Sequence, residues 1–465
     1  MKVAFHGAAR AVTGSKHLIT LNNNTQILLD CGMFQGMGGI TEKLNSYFGF
    51  EPRNISHLVL SHAHIDHCGL LPRLVAEGFK GTIYATPATM DLARILLMDS
   101  AKIQMQDAEY MNRKRKDHEE VEEPLYTEDD VVKTLRQFKV VDYNEDFEID
   151  DQIILHLTDA GHILGSAAVH LTITEDGKTT RITFSGDVGR YGDLLLKSPQ
   201  RFEQSDHIIM ESTYGDSLHK DLDPIEDMLL KIIENTCLVK KGKVIIPAFS
   251  VGRTQELLYA LNGLELKNKL PDVPFYVDSP LSSQATEVLR NHPEVYNSDV
   301  KSVLKIDTDI FGFKGLKFIE SVEESKALNN DPRPCVIISA SGMAEGGRIR
   351  HHIKNNIGNK KNTILMVGYA EPNSLGGKLL AGDKTVHLFR EDYDVNVEVA
   401  SIKSMSAHGD YEDLLQFLAC QEPEKVKQLF LVHGEYEVQQ NFAVKLKEKG
   451  FKHVAIPEYH QEFEI

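Results

Sequence analysis

The sequence predicts an α/β chain in two parts: a β-rich part carrying a metal site, and an α/β part built on a parallel sheet. Three observations carry this expectation. The apolar strand Leu58-Val59-Leu60 runs into Ser61-His62-Ala63-His64-Ile65-Asp66-His67-Cys68-Gly69, which gathers several ligand-type side chains at one strand end. Two later loops, Thr158 to Ser166 with His162 and Phe184 to Asp187, repeat that arrangement. From about Ile208, short apolar strands alternate with helical stretches, the pattern of a parallel sheet covered on both faces. At 465 residues the chain is long enough for two or three compact units.

Taken in order, Val3 to His6 and Gln26 to Gly32 read as short strands bounded by Gly and Asn turns. The strand Ile55 to Leu60 precedes the His-x-His-x-Asp-His run, which is expected in the loop before a helix opening at Leu70. Gly81 to Ala85 is a further strand, Ala88 to Glu109 a long amphipathic helix, and Met111 to Glu123 an exposed polar excursion. Strands resume at Ile153 to Leu157, Ala167 to Thr174 and Arg181 to Phe184, with Asp176-Gly177 as the hairpin turn between the last two. In the second part, strands are expected at His207 to Met210, Val244 to Ile246, Pro274 to Val277, Cys335 to Ser339 and Thr363 to Val367. Helices Pro224 to Glu234, Gly252 to Leu261 and Gly347 to Asn355 fall among them. The pattern change places the boundary near Glu211. Near the C-terminus, Ser404 to Asp410 precedes a helix from Tyr411 to Leu418, and the strand Gln428 to Val432 ends in His433-Gly434-Glu435.

Composition narrows the function classes. With 42% hydrophobic and 26% charged residues the chain reads as soluble and globular. No run of about eighteen uncharged apolar residues occurs, so no membrane span is expected. Met1 to Gly7 lacks the apolar core of a signal peptide, and a cytoplasmic location is expected. Cys31, Cys68, Cys237, Cys335 and Cys420 are far apart and form no Cys-x-x-Cys pair, against a disulfide framework or a cysteine zinc finger. A net charge of -17 repels phosphates at long range, so a polyanion must meet a local basic cleft. The acidic runs Asp117 to Glu123 and Glu145 to Asp151 read as solvated faces.

Imidazoles and a carboxylate suit Zn2+. His62, His64, Asp66 and His67 are more ligands than one tetrahedral catalytic site with an open water position needs, so two metals are expected. His162, Asp187 and His433 join as strand-end candidates. Asp30, at a strand end before a glycine, reads equally as a partner that orients a histidine ligand and as ordinary turn chemistry. His6, His57, His156, His170 and His207 are left as packing or surface residues. Two Gly-rich turns, Pro247 to Arg253 and Ser339 to Arg348, follow strands and open helices with an arginine beside them, an arrangement that accepts phosphate. Plain capping, with Ser250 as N-cap, is the alternative for one such loop taken alone.

With Asp30, the His62 to His67 run, His162 and Asp187 in this order, the chain resembles the metallo-β-lactamase superfamily. The second domain and the added Glu211, His408 and His433 narrow the resemblance to the β-CASP nucleases. Residues His67 to Pro72 are most similar to the branch of the pre-mRNA cleavage and polyadenylation endonuclease subunit and its prokaryotic relatives, rather than to ribonuclease J. The resemblance implies a four-layer αββα metallo-β-lactamase fold over residues 1–210 and 396–465, with an inserted α/β parallel-sheet β-CASP domain over 211–395. It also implies that His62, His64 and His162 bind one Zn2+ and that Asp66, His67 and His433 bind another, with Asp187 bridging. Glu211 and His408 fall on the family's added motifs and, with Asp66, form the expected catalytic set. A histidine at 433 favours RNA over DNA as substrate.

The expected function is therefore a zinc-dependent ribonuclease that attacks RNA with a hydroxide activated by two metals, with His408, oriented by Glu211, protonating the leaving oxygen. Arg253, Ser341, Gly342 and Ser406 are expected RNA contacts from loop chemistry. RNA is the expected partner, and a homodimer is compatible with the sequence. A thioesterase-like small-molecule hydrolase gives no role to the second domain. A di-iron oxidoreductase needs a Glu where His64 stands. An RNA-binding scaffold with a silent site is disfavoured by the complete ligand set.

Overall fold

Two seven-stranded sheets build the first part of the chain. One has the strand order Gln461–Glu464, Lys2–Phe5, His17–Thr20, Gln26–Leu29, His57–Val59, Thr82–Ala85 and Phe138–Val140. The other runs Val454–Ala455, Gln428–Val432, His207–Glu211, Lys178–Phe184, Ala167–Glu175, Ile153–Asp159 and Asp146–Glu148. The computed structural model describes residues 1–115, 121–219, 224–368, 370–402 and 405–465. Its two compact units are Met1–Leu218 with His408–Ile465, and His219–Ala407.

Side-chain alternation along the strands explains the layering of the first unit. Phe5, Ile19, Ile27, Leu29 and Val59 of one sheet meet Leu155, Val169, Phe184, Ile209 and Phe430 of the other in a single buried cluster. Each such side chain contributes about 1.5–3 kcal/mol when fully buried. Ile209 faces this core, while its neighbours Ile208 and Met210 face the other way. There they pack with Leu414 and Phe417 of the helix Tyr411–Leu418 and with Phe442 and Leu446 of the helix Tyr436–Glu448. In the first sheet the strands from Gln26–Leu29 to Phe138–Val140 are parallel, so crossovers must join them. The helices Leu71–Ala76, Pro87–Lys114 and Glu128–Leu135 lie on those crossovers and bury Leu71, Leu74, Leu92 and Leu97. The layers are helix, sheet, sheet, helix, as expected.

The second unit is a parallel sheet with the order Leu316–Phe318, Phe275–Val277, Val336–Ser339, Val244–Pro247, Thr363–Val367, Glu398–Ile402. Val336, Ile337 and Ile338 are all fully buried, as strands covered on both faces must be. Ile245, Ile337 and Ile364 pack against Ile349, Ile353, Leu375 and Leu379 of the helices Ile349–Asn356 and Leu375–Ala381.

Several expectations move. The strand His207–Glu211 pairs in parallel with Gln428–Val432 in the first unit, so that unit continues to Leu218 and does not end at about Glu211. The chain re-enters it at His408, not at about Asn396, because Glu398–Ile402 pairs with Thr363–Val367 of the second unit. An apolar run shows that it is a strand but not which sheet it joins. The long helix extends past Glu109 to Lys114, into the stretch expected to be an excursion; residues 116–120, with most of the acidic run that begins at Asp117, lie outside the described residues. Among the described residues no helix is long and apolar enough to cross a membrane.

Candidate metal centre

Strand ends of both sheets converge in the first unit. The run expected in one loop divides: His62 and His64 lie in the loop, while Asp66 and His67 sit on the short helix Ile65–Cys68. Its backbone is gripped from below, with Ser15 N–H donating to Asp66 O at 2.8 Å, Cys31 N–H to His67 O at 2.7 Å and Met33 N–H to Ile65 O at 3.0 Å. A Cβ on Gly32 would lie 1.6 Å from Asp66 O, so only glycine fits there. His433 follows its strand at φ +50°, a left-handed conformation held by its N–H donating to Ala8 O at 2.7 Å.

The inward-facing atoms form two sets. In the first, His64 Nδ1 lies 3.2 Å from His62 Nε2 and 3.1 Å from His162 Nε2, and both of those nitrogens lie 3.5 Å from Asp187 Oδ2. In the second, His67 Nε2 lies 3.3 Å from Asp187 Oδ1 and 4.0 Å from Asp66 Oδ2, and His433 Nε2 lies 3.3 Å from Asp66 Oδ2. A tetrahedral zinc with Zn–N near 2.0–2.1 Å has ligand–ligand edges of about 3.3 Å. Asp187 thus turns one oxygen to each set.

Outward-facing ring nitrogens are held by partners that fix which nitrogen looks inward. His62 Nδ1 meets Ser61 Oγ at 3.0 Å, His67 Nδ1 meets Asp30 Oδ2 at 2.6 Å, and His433 Nδ1, which also lies 3.6 Å from Asp187 Oδ1, meets Thr213 Oγ1 at 3.0 Å. Asp30 combines both roles that the sequence left open. It takes a turn conformation at φ +58°, and its carboxylate accepts from Ser61 N–H, Ser61 O–H and His67.

The donor set fits a metal. His67 Nε2 and Asp187 Oδ1 are buried, face each other without hydrogen-bond geometry, and have no other hydrogen-bond partner among the described residues. Burial pushes His62 well below the ordinary imidazole range and His64 down to about 4. Burial opposes ionisation of Asp66 and Asp187, yet His433 and His67 hold Asp66 at about 2 and Asp187 well below the usual carboxylate range. Neutral imidazoles and ionised carboxylates are the metal-binding forms. His67 is raised, against burial, by Asp187 and Asp30. A proton there answers negative charge that a metal cation would balance.

Beside these sets, Glu211 is fully buried, and its Oε1 and Oε2 accept from Val188 N–H at 2.8 Å and Thr213 N–H at 3.0 Å. Its Oε1 also takes His408 Nδ1 at 3.1 Å, which leaves His408 Nε2 3.9 Å from Asp187 Oδ2. Against burial, Glu211 lifts His408 to about 9. Asp66 and His408 each keep 20% side-chain exposure and His64 is also half-buried, while His62, His67, His162, Asp187 and His433 keep 5% or less, so the centre opens on the side of His64, Asp66 and His408.

The sequence reading missed Ser61, Thr213 and Lys16. Thr213, in Glu211-Ser212-Thr213, could have been suspected from its place beside an acidic strand end. Lys16 carried no signal. It is fully buried, its Nζ donates to Gly14 O at 2.9 Å and Gly32 O at 2.7 Å, and burial lowers it to about 8.

Arg253, Ser341, Gly342 and Ser406 all belong to the second unit. The loops bearing Arg253 and Gly342 leave the neighbouring strands Val244–Pro247 and Val336–Ser339, at the carboxyl ends where parallel sheets bind ligands. The helix Arg253–Leu266 is capped by Gly252 and not by Ser250. Arg253 is buried against Glu256, Arg348 pairs with Asp278, and Ser341 Oγ hydrogen-bonds within its own loop to Gly346.

Three family profiles match: one described as the metallo-beta-lactamase superfamily over residues 13–230, a Beta-Casp domain over 254–379, and a Zn-dependent metallo-hydrolase RNA specificity domain over 392–457. The chain is 34% identical to Ribonuclease TTHA0252 of Thermus thermophilus, over 94% of each. It is 31% identical to the RNase J-like protein of Methanocaldococcus jannaschii, over 95% of this chain and 94% of that one. The same organism's transcription termination factor FttA is 30% identical over 98% of this chain and 70% of its own length. A crystal structure of a protein of unknown function from Enterococcus faecalis V583 has a TM-score of 0.55 at 14% identity and 99% coverage of both chains, a likeness of fold alone. The donor set and the zinc-dependent hydrolase profile agree on a metal site in the first unit. Near-complete alignment to these relatives, with all three profiles in order, means that the chain belongs to the β-CASP family of the metallo-β-lactamase superfamily.

Proposed function

We propose that the chain is a ribonuclease that hydrolyses RNA phosphodiester bonds at a centre of two zinc ions, in RNA processing or decay in the cytoplasm. The observation that carries the reading is Asp187, whose two oxygens face two separate sets of ligand atoms. His62, His64 and His162 would hold one ion and Asp66, His67 and His433 the other. When bound, such a pair supplies charge neutralisation at the phosphoryl group and a water of lowered pKa.

The remaining chemistry belongs to the chain's own residues. His408, with Nδ1 engaged by Glu211, presents Nε2 toward the open side and gives a proton to the leaving oxygen. Glu211, anchored by two backbone N–H groups, orients it. RNA as substrate is supported by the names of Ribonuclease TTHA0252 and the RNase J-like protein and by the RNA specificity profile over 392–457. Arg253, Ser341, Gly342 and Ser406 would contact RNA in the second unit. Arg253 keeps a buried Nε without a partner among the described residues, which a phosphate oxygen would satisfy.

Zinc analysis together with cleavage of a long RNA labelled at each end in turn tests this. Two zinc ions per chain and zinc-dependent cleavage are expected. Intact RNA in the presence of full zinc occupancy would overturn the reading.

A further inference from the structure

Burial is inverted in the loop that joins the strand Val244–Pro247 to the helix Arg253–Leu266. Phe249 keeps 42% exposure, whereas Arg253 keeps 7%. A phenyl ring gains by leaving water and a guanidinium loses unless it is paired, so the loop is built with its apolar side chain outward and its cation inward. Arg253 is paired internally, its Nη1 with Glu256. One nitrogen of its guanidinium is thus held within the helix that follows, and the side chain turned to solvent is an aromatic ring.

The ring is held without being covered. A Cβ on Gly342, in the loop after the neighbouring strand, would stand 2.7 Å from two of its carbons, so one side of the ring rests on that glycine's backbone. Phe249 O accepts from Thr254 Oγ1 at 2.7 Å and from Thr254 N–H at 3.3 Å, which fixes the backbone beneath it. Ser250 follows it in sequence with its Oγ 3.4 Å from Ser279 Oγ, and Ser341 precedes Gly342 with its Oγ bonded to Gly346.

We infer that Phe249 is a stacking platform for one base of a single-stranded RNA, a reading that rests on the ribonuclease function above. A half-exposed ring resting on glycine backbone suits a planar ligand better than an apolar peptide face, which needs a contiguous apolar patch. Stacking also needs no cation. That suits a loop whose arginine is buried, in a chain with a net charge of -17.

The experiment measures kcat and KM of the zinc-loaded full chain on a short single-stranded RNA, and on the same RNA made abasic at one position at a time. F249A is expected to raise KM on the order of ten-fold to a hundred-fold, the usual range for one stacked base, with a smaller change in kcat. F249W should restore the parent KM, and F249L should not. One abasic position should weaken the parent and have no further effect in F249A. An unchanged KM in a folded F249A, or a KM in F249L equal to that in F249W, overturns the inference alone. Failure of the parent to cleave any RNA overturns the ribonuclease reading and this inference with it.

Discussion

Each unit ends a strand in an aspartate buried against histidine, and the two clusters resolve differently. Asp278, after the strand Phe275–Val277, takes His352 Nε2 at 2.6 Å, Arg348 Nη1 at 2.7 Å and the Ser325 hydroxyl, and the other ring nitrogen of His352 meets Asn329 Oδ1 at 3.0 Å. Every inward atom of that cluster has a partner. Around Asp187 the outward nitrogens of His62, His67 and His433 are equally well held, yet His67 Nε2 and Asp187 Oδ1 are left without one among the described residues. Residue type and burial are alike in the two places. What separates a structural knot from a ligand site is where the unsatisfied atoms point, because a buried polar atom left alone costs about 1–3 kcal/mol unless something binds it.

The largest expected effect tests the open cluster directly. Asp187→Ala removes the oxygen turned to each set, so both zinc occupancies should fall and cleavage should be lost. Retention of one ion at full occupancy would mean that Asp187 serves one set only. Next in size is His408→Ala, which should keep its zinc and lose cleavage by roughly 10² to 10⁴, the contribution of a positioned general acid. An ester with a nitrophenolate leaving group needs no such proton and should be spared. Glu211→Gln should show a weaker form of the same selectivity. Zinc loss in His408→Ala would move this residue among the ligands.

Asp278→Ala is the counterpart in the closed cluster. It should leave zinc content untouched and lower unfolding stability by about 3–5 kcal/mol, the usual result of removing one partner of a buried ion pair. The pH dependence has a definite sign. Against burial, hydrogen bonds from His352, Ser325 and Arg348 hold Asp278 below its ordinary value of 3.8. Its stabilisation is therefore fully present above the unfolded value and is lost as pH falls through the folded one. Denaturation curves of parent and variant should converge in acid below about pH 4. A constant gap down to the acid limit would show that the carboxylate is not the source.

How much of this was legible beforehand follows from what a sequence encodes locally. The clustering of these strand-end side chains could be read because His-x-His-x-Asp-His places its chemistry in one short run, and His162, Asp187 and His433 each sit where an apolar strand stops. The helix Tyr411–Leu418 and the strand Gln428–Val432 carry their own periodicity and appear where expected. Sheet membership is not local. Nothing in His207 to Glu211 announces that its neighbours are Lys178–Phe184 and Gln428–Val432, and the unit boundary moved for that reason. The pairing of Arg253 Nη1 with Glu256 and of Arg348 with Asp278 was equally hidden: Arg348 is tied inside the fold, and of the Arg253 guanidinium Nε alone is buried without a partner among the described residues. Lys16 is the extreme case, a lysine in a Gly-Ser-Lys-His stretch that reads as a turn and proves fully buried.

The smaller predictions concern the partners of the outward nitrogens, and they grade one cluster against itself. Asp30→Asn takes the charge from the partner of His67 and should weaken metal binding by about 10- to 100-fold. Thr213→Val removes only a neutral hydroxyl from His433 Nδ1. A neutral hydrogen bond is worth about half a charge-assisted one, so the loss should lie near ten-fold or below. Thr213 Oγ1 also lies 3.2 Å from His433 O, and valine keeps its volume and branching, so the left-handed backbone at His433 should survive. The loss should fall on the ion held by Asp66, His67 and His433, with the ion of His62, His64 and His162 retained. Titration of the zinc-free Thr213→Val protein with zinc, read as two successive binding steps, checks this. Equal weakening of both steps would mean that the two sets act as one site, and that Asp187 does not divide them.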